Sequence, residues 1–452
     1  MRAFTETLTS TYQWLGHLKS SQLKSIAQAT GIPTAGPKLA LALRLQRELP
    51  QCEYLPTELT MSAGQGSSIP QSAGQNSVQK EKMTSGQGES LSILSIDMGI
   101  QNLAFAHLLV PGPAMRKDSI SSSGSPPSGD PVPTLTAWHR LAVSAFPRSS
   151  TLGLSSLSLS TFPLSGSRSR RQKLPTEDRT SLLSSDEEGN TATRSTEDDD
   201  KMLFTPDLYA EHAYTLITSL LATYNPTHIL IERQRFRSGG ASAVQEWTLR
   251  VGVFEGMLYA VLHTLARERA HSVSVQSVEP SRVARYWYGD SETDALQEEE
   301  DSETTQTKDE TRKKKKKKRM TSKEGKKAKI DLVGKWLSAW ETGKESISEG
   351  VPSTSLMKGQ KIDVAPDDNV RRVVNAYLRG WQGKKTTRSR SAVGSDEGLE
   401  KADIGKLDDL ADCLLQGVTW LDWHVARGQI LRDGVDAPVV KDILNPEAIR
   451  RA

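Results

Sequence analysis

The sequence predicts an α/β protein in which helices flank a mixed five-stranded sheet and a small helical module precedes it. Short apolar strands separated by turns begin the main domain, and later strands alternate with long amphipathic helices. Long segments rich in Ser, Pro and charged residues interrupt this pattern. Because only 36% of the 452 residues are hydrophobic, we expect a folded core smaller than the chain length suggests.

Composition narrows the class of protein. The formal net charge of +3 does not by itself indicate a nucleic-acid-binding protein, so the local distribution of charge matters more. Two cysteines, Cys52 and Cys413, lie far apart and predict no disulfide framework, which suits a reducing compartment. No apolar run reaches the roughly 18 residues of a membrane-spanning helix, so no membrane partner is expected. Residues 1–7 make a poor secretory signal and a weak organellar presequence.

Residues 12–50 are predicted to form a compact helical module. Apolar residues recur at helical spacing from Trp14 to Ala27, and Pro37 is well suited to begin a second helix. A module of roughly 40 residues is small, so it would need to dock or bind something to be useful. Residues 56–89 are rich in Ser, Gly and Gln and are predicted to be a flexible linker.

The main domain is predicted to span residues 90–452. Its strands are predicted at 91–97, 103–108, 135–143, 228–232 and 273–278. Its helices are predicted between 205 and 225 and at 242–268, 326–340 and 406–424. Low-complexity insertions, predicted to be disordered, lie at about 111–133, 144–201, 289–325 and 384–403. Three early antiparallel strands followed by strands that alternate with helices are the order expected of a ribonuclease-H-like sheet.

Carboxylates stand at the ends of two predicted strands and at the start of the last helix. Asp97 ends the first strand and Glu232 ends the fourth, while Asp408, Asp409 and Asp412 occur together further on. Spacings of three and four put two of these helical carboxylates on one face. Such oxygen ligands suit two Mg²⁺ ions, with Mn²⁺ as a substitute, for hydrolysis of a phosphodiester. The predicted catalytic set is Asp97, Glu232, Asp409 and Asp412, with Asp408 as a further metal ligand.

Each motif also has an ordinary structural interpretation. Asp97 before Met-Gly could be a turn former, and Glu232 could pair with Arg233. Asp408 and Asp409 could cap a helix and complement its dipole. Taken together in this topological order, the three motifs are much more specific than any one of them.

Basic and aromatic residues follow the second acidic motif and predict contacts with DNA. Guanidinium groups suit phosphates, and a Phe can stack on bases. The predicted contacts here are Arg233, Arg235, Phe236 and Arg237. Lys326 and Lys329 could also contact phosphates, or form the solvated face of a helix. The run from Lys313 to Arg319 could be a nuclear-import patch, a DNA tether or a solvated tail.

At these motifs the chain resembles the fungal mitochondrial Holliday junction resolvases, a RuvC-like branch of the ribonuclease-H-like superfamily. The matching segments are SIDMGIQNLA at 95–104, LIERQRFRS at 230–238 and KLDDLADCLLQ at 406–416. The helical module resembles a SAP-type DNA-binding module, in which Lys24 and Lys38 would contact DNA.

This resemblance implies a homodimer that binds a four-way DNA junction and nicks two opposed strands, in mitochondrial DNA recombination and segregation. It implies that the four catalytic carboxylates carry the metals, and it leaves open whether Asp408 or Asp409 is the direct ligand. The helix at 242–268 has a long apolar face that could form the dimer or simply the core. Two alternatives remain: a non-catalytic junction-binding or DNA-binding protein on the same fold, and an RNA-strand nuclease of the same superfamily.

Overall fold

The structure, a computed structural model, describes nine stretches of the chain. They are residues 12–54, 90–112, 130–143, 205–234, 246–268, 273–289, 321–348, 360–383 and 404–445. The predicted linker at 56–89 lies outside these described residues, as do the predicted insertions at 144–201 and 384–403 and most of the other two.

A single mixed sheet forms the centre of the main domain. Its strands are β1 Leu91–Asp97, β2 Leu103–Val110, β3 Thr134–Leu141, β4 His228–Glu232, β5 Ser274–Val278 and β6 Asp363–Val364. The spatial order is β5-β4-β1-β2-β3-β6, with β1, β2 and β3 antiparallel and the other neighbours parallel. The predicted mixed sheet is confirmed, but it has six strands in the described residues instead of five. The additional β6 has only two residues, too few to show an alternating pattern.

Ten α-helices are described. They are α1 Trp14–His17, α2 Ser20–Ala29, α3 Lys38–Glu48, α4 Pro206–Tyr224, α5 Glu246–Glu268, α6 Pro280–Tyr288, α7 Ser322–Ser348, α8 Asp368–Trp381, α9 Leu407–Asp433 and α10 Pro438–Leu444. Three of them (α6, α8 and α10) were not predicted from the sequence. The last long helix, α9, extends nine residues beyond its predicted end, and α7 begins inside the insertion predicted at 289–325.

Helices cover both faces of the sheet. Leu94 and Ile96 of β1 pack with α4 and α5 on one face, whereas Ile93 packs with α7, α8 and α9 on the other. Burial on both faces explains why β1 has apolar residues on both of its faces. Gly417 allows α9 to lie close to the sheet, since a Cβ atom there would stand 2.8 Å from Leu108 Cδ1. The acidic start of α9 is thereby held over the ends of the central strands.

The N-terminal module docks on the main domain. Its buried Leu23, Ile26 and Leu41 share a core with Ile430 of α9 and Val440 of α10. The module's first predicted helix is in fact two, α1 and α2, because the chain is extended between them. Its second predicted helix begins directly after Pro37, as expected.

Helix α5 has one buried and one exposed apolar face. Phe254 and Leu258 are fully buried against the sheet, whereas Leu249 and Val253 are exposed. The apolar pattern of the sequence predicts that Val244 and Trp247 of this helix face inward. Trp247 is instead 39% exposed, and Val244 lies outside the described residues. By length and composition alone α5 could cross a membrane, but its buried face belongs to the core of the sheet domain. The expectation of no membrane partner therefore stays a prediction.

Candidate active site

Two of the predicted carboxylates lie side by side on the sheet. In the parallel pair of β1 and β4, Ile96 is in register with Ile231, so the next residues, Asp97 and Glu232, are neighbours. Residues in register point to the same face, here the face covered by α9. The charge of Glu232 therefore acts directly on the carboxyl group of Asp97.

A third carboxylate reaches the same place from α9. Asp412 lines an open cleft of about 360 Å³ together with Asp97 and Glu232. Lys329 of α7 and Gln416, one turn further along α9, also line this cleft. The chain therefore brings together three acidic side chains from segments more than 100 residues apart in sequence.

Three cations pair with the acidic start of α9. Lys329 Nζ lies 2.7 Å from Asp412 Oδ1, and Lys326 Nζ lies 2.7 Å from Asp408 Oδ2. The third pair is formed by Arg140 Nε, which lies 3.0 Å from Asp409 Oδ2. These contacts neutralise part of the charge that the clustered carboxylates would otherwise hold in a partly buried site.

Burial dominates the electrostatics of the cleft. It raises the pKa of Asp97 well above the ordinary value, and the nearby charge of Glu232 raises it further. Burial also raises the pKa of Asp412, although the charge and hydrogen bond of Lys329 oppose that rise. A cation in this cleft would therefore stabilise the ionised forms of both carboxyl groups.

Asp408 and Asp409 differ in their surroundings. Burial and the Asp408 charge raise the pKa of Asp409 to about 6, with Arg140 opposing the rise. Burial alone would raise the pKa of Asp408, but the hydrogen bond and charge of Lys326 hold it below its ordinary value. The charge of Asp409 contributes to the raised pKa of Asp97. Asp409 pairs with Arg140 of the sheet, whereas Asp408 pairs with Lys326 of α7, and these contacts favour Asp409 as the member of the pair nearer to the sheet.

Arg140 is a site residue that sequence reasoning missed. It pairs with Ala104 of β2, which in turn pairs with Asp97, so one row of residues crosses the sheet from Glu232 to Arg140. Arg140 is buried, and it also donates to the side chain of Asn102. An arginine between apolar residues of a strand, close to Trp138 and Leu141, was the available sequence signal.

Helix α6, also missed from the sequence, forms one wall of the cleft through Val283, Ala284, Trp287 and Tyr288. Trp287 Nε1 donates a hydrogen bond of 2.7 Å to Thr419 Oγ1 of α9. This contact ties the wall to the helix that carries Asp412.

The donor chemistry of the cleft fits a hard divalent cation, since Asp97, Glu232 and Asp412 present only oxygen atoms. Within the described residues, however, no three His, Cys, Asp or Glu side chains already form a metal-binding group. Lys329 pairs with Asp412, and Arg140 pairs with Asp409. Three of the five predicted carboxylates, Asp97, Glu232 and Asp412, thus line one cleft, whereas Asp408 and Asp409 do not line it.

The predicted DNA contacts fall in different places. Arg233 is exposed beside the cleft and pairs with Glu279 at 3.7 Å. Lys326 is exposed, whereas Lys329 lies in the cleft and not on the outer face of α7. Lys24 and Lys38 are exposed on the module, and the remaining predicted contacts lie outside the described residues. Those remaining contacts are Arg235, Phe236 and Arg237.

The sheet order and the acidic strand ends define the ribonuclease-H-like class of α/β proteins. A family model described as mitochondrial resolvase Ydc2 / RNA splicing MRS1 matches residues 93–430. The chain therefore belongs to this family, as the sequence motifs predict.

Proteins similar to the chain include a curated endonuclease and a resolvase of known structure. The mitochondrial cruciform cutting endonuclease 1 of Schizosaccharomyces pombe is 38% identical over 97 residues, which cover 20% of this chain and 37% of that protein. The crystal structure of the yeast mitochondrial Holliday junction resolvase Ydc2 matches with 20% identity and a TM-score of 0.38. This match covers 90% of the present chain and 95% of that one.

Proposed function

We propose that this protein is a structure-selective endodeoxyribonuclease that cuts four-way DNA junctions in mitochondria. The observation that carries the proposal is the convergence of Asp97, Glu232 and Asp412 on one cleft in a member of a resolvase family. The S. pombe relative, named as a mitochondrial cruciform cutting endonuclease, supports both the substrate and the location.

We assign the metal-binding role to Asp97, Glu232 and Asp412, with Asp409 as the fourth catalytic carboxylate and Asp408 at the margin. Mg²⁺, or Mn²⁺ in its place, would supply the charge that activates water and stabilises the leaving oxygen. Lys329 keeps the ionised Asp412 in place, and its raised pKa, which arises from Asp412 despite burial, keeps it a cation. Arg140 holds Asp409 from the neighbouring strands.

Paired nicks in opposed strands require two active sites, so we infer a homodimer. The exposed face of α5 supports this inference, since Leu249, Val253, Gly256 and Ala260 recur at helical spacing on it. A Cβ atom at Gly256 would meet nothing within 4 Å, so no described neighbour requires a glycine there. A glycine that allows a second helix to approach closely would account for it.

The cleft is narrow compared with a DNA junction, so most of the binding must come from basic residues outside it. Arg233 and Lys326 flank the cleft and are exposed. Lys24 and Lys38 would add contacts from the module. Because each phosphate contact releases counterions, loss of any of these residues should weaken junction binding most at low salt and make the affinity less dependent on salt.

The first test is cleavage of a synthetic four-way junction with Mg²⁺, beside a linear duplex of matched sequence and an RNA–DNA hybrid. We expect paired symmetric nicks in the junction alone. Asp97→Asn should abolish the nicks and retain junction binding, because the amide keeps the size of the side chain but loses a metal-binding charge. Continued Mg²⁺-dependent cleavage by this variant would contradict the metal assignment.

The other arms separate the alternatives. The family is described by an RNA splicing protein as well as by a resolvase. Binding of the junction without nicks would therefore favour a non-catalytic binding protein on this fold. Cleavage of the hybrid instead of the junction would keep the carboxylate assignment and change the substrate to RNA.

A further inference from the structure

A buried glutamine connects α9 to both strands that carry the central carboxylates. Gln416 Nε2 donates to Ser95 Oγ at 3.1 Å and to the Ile96 carbonyl oxygen at 3.3 Å, both in β1. The same nitrogen donates to the Leu230 carbonyl oxygen of β4 at 3.3 Å. Gln416 is only 3% exposed and lines the cleft.

The orientation of this amide follows from its partners. Backbone carbonyl oxygens only accept hydrogen bonds, so the nitrogen and not the oxygen of Gln416 must face the two strands. The neighbouring Gly417 brings α9 close enough for this contact, because a Cβ there would stand 3.2 Å from Ser95 Cβ. A close-approach glycine and a bridging glutamine thus act at the same point of the sheet.

The two carbonyl groups that accept from Gln416 belong to residues that come just before the carboxylates in the chain. Ile96 immediately precedes Asp97, and Leu230 lies two residues before Glu232. Both carbonyl groups belong to regular strands, so Gln416 adds a link across β1 and β4 beyond the sheet's own hydrogen bonds. A buried amide costs free energy unless it is hydrogen-bonded, and these contacts supply the partners of Gln416 Nε2.

We propose that Gln416 is a positioning residue that fixes the spacing between Asp97 and Glu232. It ties the two strands together immediately before their acidic ends. The role deepens the proposed nuclease function and rests on it, because fixed spacing matters when both carboxylates must bind the same cations. Residues that orient metal ligands typically contribute about 10- to 100-fold to metal affinity or activity.

The test compares Gln416→Met with the wild-type full-length chain. Methionine keeps the length of the side chain and removes the donor. Gln429→Met is the matched control: Gln429 lies on the same helix, roughly 20 Å further along, and donates to Asp130. Three quantities are measured for each protein: Mn²⁺ affinity by titration, thermal stability, and the Mg²⁺ dependence of junction cleavage.

We expect Gln416→Met to weaken Mn²⁺ binding by about 10- to 100-fold and to raise the Mg²⁺ concentration for half-maximal cleavage similarly. Junction binding in EDTA should stay unchanged, as should every property of the control. If Gln416→Met does not fold, Gln416→Asn replaces it, because it keeps the amide but is one methylene too short to reach both strands. The Mn²⁺ affinity of Gln416→Asn should also be lower than that of the wild type.

Two results would overturn the positioning role. One is a lower melting temperature with Mn²⁺ affinity within threefold of wild type, which would make Gln416 a packing residue only. The other is a wild-type protein that does not bind Mn²⁺. If the wild type binds Mn²⁺ but leaves the junction uncut, the nuclease proposal fails, whereas a weaker Mn²⁺ affinity of the variant still supports the positioning role.

Discussion

Lys329 supplies the positive charge that lets Asp412 ionise beside two other carboxylates. The two side chains are 2.7 Å apart and only 23% and 32% exposed, so solvent screens them weakly. Burial alone would lower the pKa of Lys329, but the charge of Asp412 outweighs burial and raises it. The pair is therefore an electrostatic unit of the cleft and not a surface ion pair of negligible strength.

Lys329→Met should destabilise the protein by about 2 kcal/mol at pH 8, because it leaves the partly buried Asp412 without its partner. Burial and neighbouring acids hold the pKa of Asp412 above its ordinary value, and the loss of Lys329 should raise it further. A carboxyl group whose pKa is raised by folding destabilises the fold when ionised, and protonation removes that penalty. The stability difference from wild type should therefore shrink as the pH falls from 8 towards 5.

Urea unfolding at several pH values measures this difference, and added Mg²⁺ provides a second comparison. Because a bound cation replaces the missing charge, Mg²⁺ should stabilise Lys329→Met more than it stabilises the wild type. Lys335→Met is the control, since Lys335 is exposed on the same helix. An equal, pH-independent loss in both variants would contradict the assigned role of the pair.

At the scale of elements, the strand ends were the most predictable feature. β1 and β4 end at Asp97 and Glu232 as predicted, because in both strands an apolar run stops at a single acidic residue. α8 was missed although its signals are present. The Asp367 side chain caps its first turn by accepting from two backbone N–H groups, and apolar residues recur at helical spacing after it.

Other features depend on tertiary contacts that no local pattern contains. α9 continues to Asp433 because Ile430 is buried in the core of the N-terminal module, which the sequence does not associate with this helix. Arg140 joins the site only through strand pairing across β2. The sequence therefore brings Asp97, Glu232 and Asp412 into one candidate set, but it does not predict that Lys329 and Arg140 pair with the acidic start of α9.

The docking of the N-terminal module depends on Gly31. Its backbone has a φ of +64°, and a Cβ atom there would stand 2.2 Å from the ring of Trp423 in α9. Gly31→Ala should therefore destabilise the protein by about 2–4 kcal/mol, from backbone strain and overpacking. Thermal unfolding measures the loss, and limited proteolysis between residues 12 and 54 reports whether the module has detached.

Gly16→Ala is the control for this prediction, because a Cβ atom at Gly16 in α1 would meet nothing within 4 Å. It should leave stability unchanged or raise it slightly through better helix propensity. Full resistance of the Gly31→Ala module to protease, with wild-type stability, would contradict the docked arrangement. If the module instead detaches, the loss of junction binding by this variant would measure how much rigid docking contributes to DNA affinity.

At the scale of the whole molecule, paired cleavage would require both the cleft and a dimer interface, for which the outer face of α5 is our candidate. A nuclease that cuts opposed strands together needs two copies held in a fixed relation. The outer face of α5 offers Val253, which is 48% exposed, next to a glycine with open space above it. Exposed apolar side chains of this kind destabilise a monomer in water and would stabilise a dimer that buries them.

Gly256→Leu distinguishes dimerisation from folding, because it should favour folding of the helix and oppose formation of the dimer. The substitution should stabilise the isolated helix by about 1 kcal/mol, since glycine is a poor helix former. It should also stop a second α5 from approaching closely, and so shift the protein towards monomer in sedimentation and light scattering. Gly343→Leu in α7 is the matched control, because a Cβ there also meets nothing within 4 Å. On the junction, Gly256→Leu should give single, unpaired nicks where the control still gives paired ones; paired nicks from a monomeric variant would show that α5 does not couple the two sites.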